Sequence, residues 1–280
     1  MKRYVDGVRG GLGRLLGGER QVRLLEEELA QEREKVQSLR EQNQRLKRRM
    51  RGSGRGGRRR GVGGVRFGDF GGLEPISREF GLDRGRPIDR YYIEGFLARN
   101  AGDIRGRVLE IKDSAFTRKY GGDRVTQSDV LDIEETNRRA TIVADLSWAE
   151  DVPTDAFDCI ICTQTLHFIY EIGAAFRTLR RMLKPGGVLL ATFPGIGQTG
   201  CAELDEHYCW ALSTLAARRL CEDAFPAADV EIEAHGNVLA AVAFLEGLAV
   251  RELREEELDH HDPDYELLIT LRAVKPAVGV

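Results

Sequence analysis

From Ile88 onward, apolar runs of strand length alternate with helical stretches, and this alternation constrains the fold more than any other feature of the chain. Five runs come first: Arg107-Val-Leu-Glu-Ile, Arg124-Val-Thr-Gln-Ser-Asp, Ala140-Thr-Ile-Val-Ala-Asp, Phe157-Asp-Cys-Ile-Ile-Cys and Gly187-Val-Leu-Leu-Ala-Thr. Each is bounded by Gly, Pro or Asp and reads as a buried strand. An amphipathic helix over Glu171 to Leu183 separates the fourth from the fifth. Lys184-Pro-Gly-Gly stops it, because proline cannot continue a helix and glycine permits the reversal into the next strand. Two further strands, Asp229-Val-Glu-Ile-Glu and Tyr265 to Val274, flank an apolar helix over Val238 to Leu253. Strands alternating with helices predict an α/β fold, a doubly wound and mostly parallel sheet with helices on both faces.

The N-terminal third has a different character. Val22, Leu25, Leu29, Val36, Leu39, Leu46 and Met50 recur at alternating spacings of three and four, a heptad seam. With Val22 at position a, only Glu32 and Asn43 interrupt it, and Asn43 falls at a, where a buried amide fixes register and favours two strands. The pattern predicts a parallel homodimeric coiled coil or a helical partner through residues 22–50, the alternative being a single helix packed on the body. From Arg51 the chain turns to arginine and glycine, too poor in apolar side chains to repay ordering. Joined to Lys47, Arg48 and Arg49, this block makes residues 47–60 a candidate polyanion contact, with a solubilising linker as the plainer reading. The expected organisation is an N-terminal segment 1–18, a coiled-coil helix 19–50, a flexible linker 51–85 and an α/β domain 86–280.

Composition excludes several classes. Of 280 residues 42% are apolar, and no stretch reaches the roughly 20 consecutive apolar residues that span a bilayer. Met1 to Gly18 is broken by Gly and Arg and lacks the apolar core of a secretory signal, so a cytoplasmic protein is expected. Five cysteines, an odd number in a chain of this size, fit a reducing compartment. Cys159 and Cys162 form a C-x-x-C inside the fourth strand, where residues three apart point to opposite faces and cannot share a metal. His260-His261-Asp262 has no third cluster to support it, and no metal is assigned.

Ligands of open α/β sheets bind outside the carboxyl ends of the strands. Glu110 stands near the end of the first strand, Asp129 at the expected end of the second and Asp145 at that of the third. An acid about 20 residues beyond the first turn is placed to receive ribose hydroxyls, and one after the third strand to receive an exocyclic amine. Asp132 is an alternative to Asp129, and acids at strand ends also cap the helices that follow. His167 follows the fourth strand and is a candidate general base, or else a packed residue at a helix start. His207, Tyr208 and Trp210 are equally candidates for an acceptor pocket or for lid packing.

The run Phe157-Asp-Cys-Ile-Ile-Cys-Thr-Gln-Thr-Leu-His-Phe-Ile-Tyr, followed by Leu179-Arg-Arg-Met-Leu-Lys-Pro-Gly-Gly-Val-Leu-Leu-Ala-Thr, resembles the fourth- and fifth-strand signature of class I S-adenosylmethionine-dependent methyltransferases. With Val108-Leu-Glu-Ile and Ala144-Asp145, the resemblance spans about residues 86–275 and is similar in detail to methyltransferase-like proteins of bacterial glycan biosynthesis. It implies a seven-stranded sheet with an antiparallel last strand, S-adenosylmethionine as cofactor, and methyl transfer to a small-molecule, sugar or glycan acceptor. It further implies Glu110 at the first cofactor loop, Asp129 at the ribose, Asp145 at the adenine, and Thr163, Gln164 and Leu166 beside the methionine part. The chain departs from the family at the first turn, where Lys112-Asp113-Ser114 replaces a glycine-rich sequence. Two apart on an extended segment, Glu110 and Lys112 are expected on one face. There the ammonium either fills the methionine half of the site or pairs with the cofactor's carboxylate or with Glu110. An inactive, cofactor-free scaffold dimerised by its coiled coil and a nucleic-acid-modifying enzyme are the competing readings.

Overall fold

The computed structural model describes residues 35, 37, 68–199, 208–226 and 229–277. The chain divides between Arg66 and Phe67 into two units. Of the first, Lys35 and Gln37 are described, and both are helical. The coiled coil expected over 22–50 and the polyanion contact over 47–60 otherwise lie outside the described residues.

The second unit is built on seven strands: β1 (Gly106–Ile111), β2 (Val125–Asp132), β3 (Ile142–Val143), β4 (Phe157–Thr163), β5 (Leu183–Pro194), β6 (Asp229–His235) and β7 (Leu268–Val274). They lie in the order β3-β2-β1-β4-β5-β7-β6. The strands from β1 to β5 pair in parallel, and β7 runs antiparallel to both β5 and β6. Strand order reverses beside β1, so the ends of β1 and β4 flank the crevice where such sheets bind ligands.

Successive residues of each strand feed opposite cores. Leu109, Ile160, Cys162, Leu189 and Ala191 face α2 (Ile172–Met182) and α3 (Thr214–Ala224). Val108, Cys159, Ile161, Val188 and Leu190 face α1 (Ile88–Arg99) and α4 (Val238–Leu245). The two cysteines of the C-x-x-C are thus buried in different cores. In α2 the buried positions Ile172, Ala175, Phe176, Leu179 and Met182 recur at helical spacing, while Arg177 is exposed. Burial of each large apolar side chain stabilises the sandwich by about 1.5 to 3 kcal/mol. The edge strand β6 exposes Asp229, Glu231 and Glu233, charges that discourage pairing with another chain.

Two expectations are corrected. The apolar helix expected over 238–253 ends at Leu245, because Gly247 takes φ +69° and a Cβ there would lie 2.2 Å from the Ser77 carbonyl oxygen. Part of the expected linker belongs to the domain. Ser77 donates its N–H to the Glu246 carbonyl (3.0 Å) and its hydroxyl to Asp83 (2.6 Å), and Val250 N–H donates to the Arg86 carbonyl (2.8 Å). Glycine and charge in 68–85 hid a segment ordered by contacts far along the chain.

Candidate functional site

The first turn after β1 is shaped by a buried acid and a strained lysine. Glu110 accepts from the N–H of Phe116 (3.1 Å), the N–H of Thr117 (2.7 Å) and the Thr117 hydroxyl (2.7 Å). Burial raises its pKa, and these bonds work against that rise. The carboxylate therefore organises the turn leading into 117–121 from within. Lys112 adopts φ +74°, a left-handed conformation that glycine takes without cost, so the backbone keeps a glycine-like turn although the residue is lysine. That reversal breaks the extended alternation. Glu110 turns inward and Lys112 is exposed, so the expected shared face is corrected. Lys112 donates its N–H to the Leu131 carbonyl (2.9 Å), and its own carbonyl accepts from the Asn137 amide (2.8 Å).

β2 runs three residues beyond the end expected at Asp129. The strand runs on through Val130, Leu131 and Asp132, which leaves Asp129 inside it, opposite Leu109. Asp129 is buried and accepts from Arg107 Nε (2.8 Å), Gln127 Nε2 (3.1 Å) and the Thr141 hydroxyl (3.3 Å). Asp132 stands at the strand end and accepts from Asn137 Nδ2 (2.6 Å) and Glu134 N–H (3.2 Å). Beyond β3, Asp145 is half-buried and accepts from Ser147 N–H (2.7 Å), a local turn that holds its carboxylate at the same edge of the sheet.

A cavity of about 290 Å³ opens at the ends of β1, β4 and β5. Lys112 lines it from the first turn, Gln164, His167 and Phe168 from the segment after β4, and Pro194 from the end of β5. Gln164 takes φ +48° and donates its N–H to the Thr192 carbonyl (3.1 Å). Thr163 ends β4 opposite Thr192. Leu166 is fully buried in the core under the α2 face, so it supports this segment from beneath and does not line the cavity. His167 is 3% exposed, and burial lowers its pKa to about 4. Its ring lies 5.0 Å from that of Tyr208, whose hydroxyl burial drives toward higher pKa. Among the described residues, His167 Nδ1 and the Tyr208 hydroxyl are buried without a hydrogen-bond partner, an unstable arrangement that a polar ligand or a small rearrangement would relieve. Trp210 donates its indole N–H to the Ile169 carbonyl (3.0 Å) and stacks on Tyr170, and His207 lies outside the described residues.

Phe80, Leu82, Asp89, Arg90 and Phe244 also line the cavity, and nothing in the sequence pointed to them. Phe80 and Leu82 come from the segment expected in the linker, which Ser77 ties to Glu246 and Arg84 to Glu252. Of the residues expected from the sequence, Lys112, Gln164 and His167 line this cavity, whereas Glu110, Asp132, Asp145 and Thr163 lie outside its lining.

Residues 101–191 match the family model of a methyltransferase domain. No curated protein matches the chain. Among solved structures, an S-adenosylmethionine-dependent methyltransferase from Mesorhizobium loti is 18% identical, covers 67% of this chain and 97% of its own, and superposes with a TM-score of 0.46. The [4+2]-cyclase SpnF is 19% identical over 67% of this chain and 80% of its own, with a TM-score of 0.45. A methyltransferase from Archaeoglobus fulgidus is 14% identical over 66% and 94%, with a TM-score of 0.44. Likeness at that level carries no argument about activity, and the matched segment 101–191 runs from before β1 into β5. Residues 101–191, which include β1 to β4 and much of β5, are thus similar to a methyltransferase domain.

Proposed function

We propose that this enzyme methylates a small polar acceptor, of the sugar or glycan-intermediate class, held in the cavity between Lys112 and His167. The carrying observation is that cavity: at about 290 Å³ it has the size of a small-molecule site, and it opens at the strand ends where the first turn lies. Bound S-adenosylmethionine supplies an electrophilic methyl group. Asp132, in place of Asp129, receives the ribose hydroxyls in this reading, and Asp145 the adenine amine. The Lys112 ammonium pairs with the cofactor's carboxylate, a charge-assisted contact. Thr163 and Gln164 border the methionine part, while Glu110 and Leu166 hold the two turns in place without touching it.

With its pKa lowered to about 4, His167 is neutral near pH 7 and keeps a lone pair for an acceptor hydroxyl. A base this weak takes the proton late, once the acceptor oxygen has become acidic in forming its new bond. The test follows release of S-adenosylhomocysteine by the full chain from S-adenosylmethionine, with small sugars and nucleotide sugars offered beside protein and RNA. Transfer to the small acceptors is expected, and His167→Gln should slow it about a hundredfold or more while leaving S-adenosylhomocysteine affinity unchanged. Transfer only to protein or RNA would overturn the acceptor class. Full activity of His167→Gln would remove the histidine from the chemistry.

A further inference from the structure

β2 and β3 lie side by side in parallel, a connection that ordinarily takes a dozen or more residues and a helix. Here residues 133–141 make it without one. Thr141 ties the end of this loop to Val130 and Asp129, but the rest is bare: Ile133 is 64% exposed, and Glu134, Glu135, Thr136, Arg138 and Arg139 are exposed as well. Its side-chain anchor across the strand ends is Asn137. One amide nitrogen donates both to the Lys112 carbonyl after β1 (2.8 Å) and to Asp132 Oδ2 at the end of β2 (2.6 Å). The amide oxygen accepts from Arg139 N–H (3.0 Å) and so shapes the loop itself.

We propose that Asn137 is a latch over the nucleoside half of the cofactor site, and that cofactor binding must displace it. The inference rests on the reading of Asp132 given above. The crevice beyond the ends of adjacent strands is where an open α/β sheet takes its ligand, and the acid at the end of the second strand is the group that receives ribose hydroxyls. The Asn137 amide stands in that crevice and offers its N–H groups to the acceptors that a ribose would otherwise engage. It serves as an internal substitute for the ligand's donors. The loop that carries it, exposed and poor in apolar contacts, belongs to the class of segments that open locally at low free-energy cost.

The test is calorimetry of S-adenosylhomocysteine binding to the full chain and to its Asn137→Ala and Asn137→Asp variants. Asn137→Asp retains an oxygen for Arg139 N–H but loses both donated bonds and is repelled by Asp132, so it opens the latch while preserving the local turn. Both variants should bind about tenfold tighter than the wild type, the scale of the bonds that no longer need breaking. Equal or weaker binding by Asn137→Asp, with its melting temperature and circular dichroism unchanged, overturns the latch and leaves the cofactor site standing. Absence of binding by all three proteins overturns both.

Discussion

Lys112, the buried His167 and the half-buried His235 each carry a cost that a single substitution can read. A lysine at φ +74° is held in a conformation that disfavours side chains by about 1 to 2 kcal/mol. Both backbone bonds of the turn survive in Lys112→Gly, so the substitution relieves strain and loses only unfolded-state entropy. The expected result is a gain of about 0.5 to 1 kcal/mol, read as a rise in the urea midpoint. A fall would mean that the lysine side chain stabilises the turn. Burial lowers the pKa of His167 and of His235 to about 4 from an ordinary 6.5. His235 is held by the Thr270 hydroxyl (3.0 Å) and stacks on Tyr92. Between those values the unfolded chain binds more protons than the folded one, so both histidines make stability fall as pH drops from about 6.5 toward 4. Urea titrations at about pH 7 and about pH 4.5 should show that loss, and the His167→Gln/His235→Gln variant should lose less between the same two pH values.

Among the elements, the connection leaving β1 depends on one carboxylate. Glu110 receives two buried backbone N–H groups and one hydroxyl at the start of the turn over 117–121, with no helix of ordinary length to hold that segment. Glu110→Ala should cost about 2 to 3 kcal/mol, because Phe116 and Thr117 would keep unpaired donors, and Glu110→Gln should cost less. Equal urea midpoints for wild type and Glu110→Ala would show that the turn is held by its apolar contacts alone. Element identity was legible in the sequence because the apolar runs are long and punctuated, as in β4 with the Lys184-Pro-Gly-Gly turn behind it. Element ends were less legible. Asp129 looked like the end of β2 because it is the first acid after the polar stretch, yet Val130 and Leu131 continue the pairing with β1 and carry the end to Asp132. The apolar sequence after Leu245 looked helical, and only the approach of Ser77 to Gly247 explains why the helix stops.

For the whole molecule, the heptad seam over 22–50 predicts dimerisation, and the boundary between Arg66 and Phe67 offers a place to test it. In sedimentation equilibrium the full chain should be a dimer and a chain beginning at Phe67 a monomer. A truncated chain that remains dimeric would move the contact to the second unit. Among the described residues, no helix is long and apolar enough to cross a membrane.

The alternation of strand and helix, the two-sided burial of β4 and the neighbourhood of the strand ends are set by local chemistry, since side-chain spacing and the punctuation of glycine and proline act within a few residues. Which acid stands at the end of β2 depends on where β2 stops pairing, a contact with β1 about twenty residues away. The cavity wall depends on Phe80 and Leu82, in a segment that Ser77, Arg84 and Arg86 tie to Glu246, Glu252 and Val250 near the other end of the chain. The latch depends on one amide reaching two strand ends at once. These features belong to the tertiary structure, because each joins groups whose separation in sequence leaves no trace in local pattern.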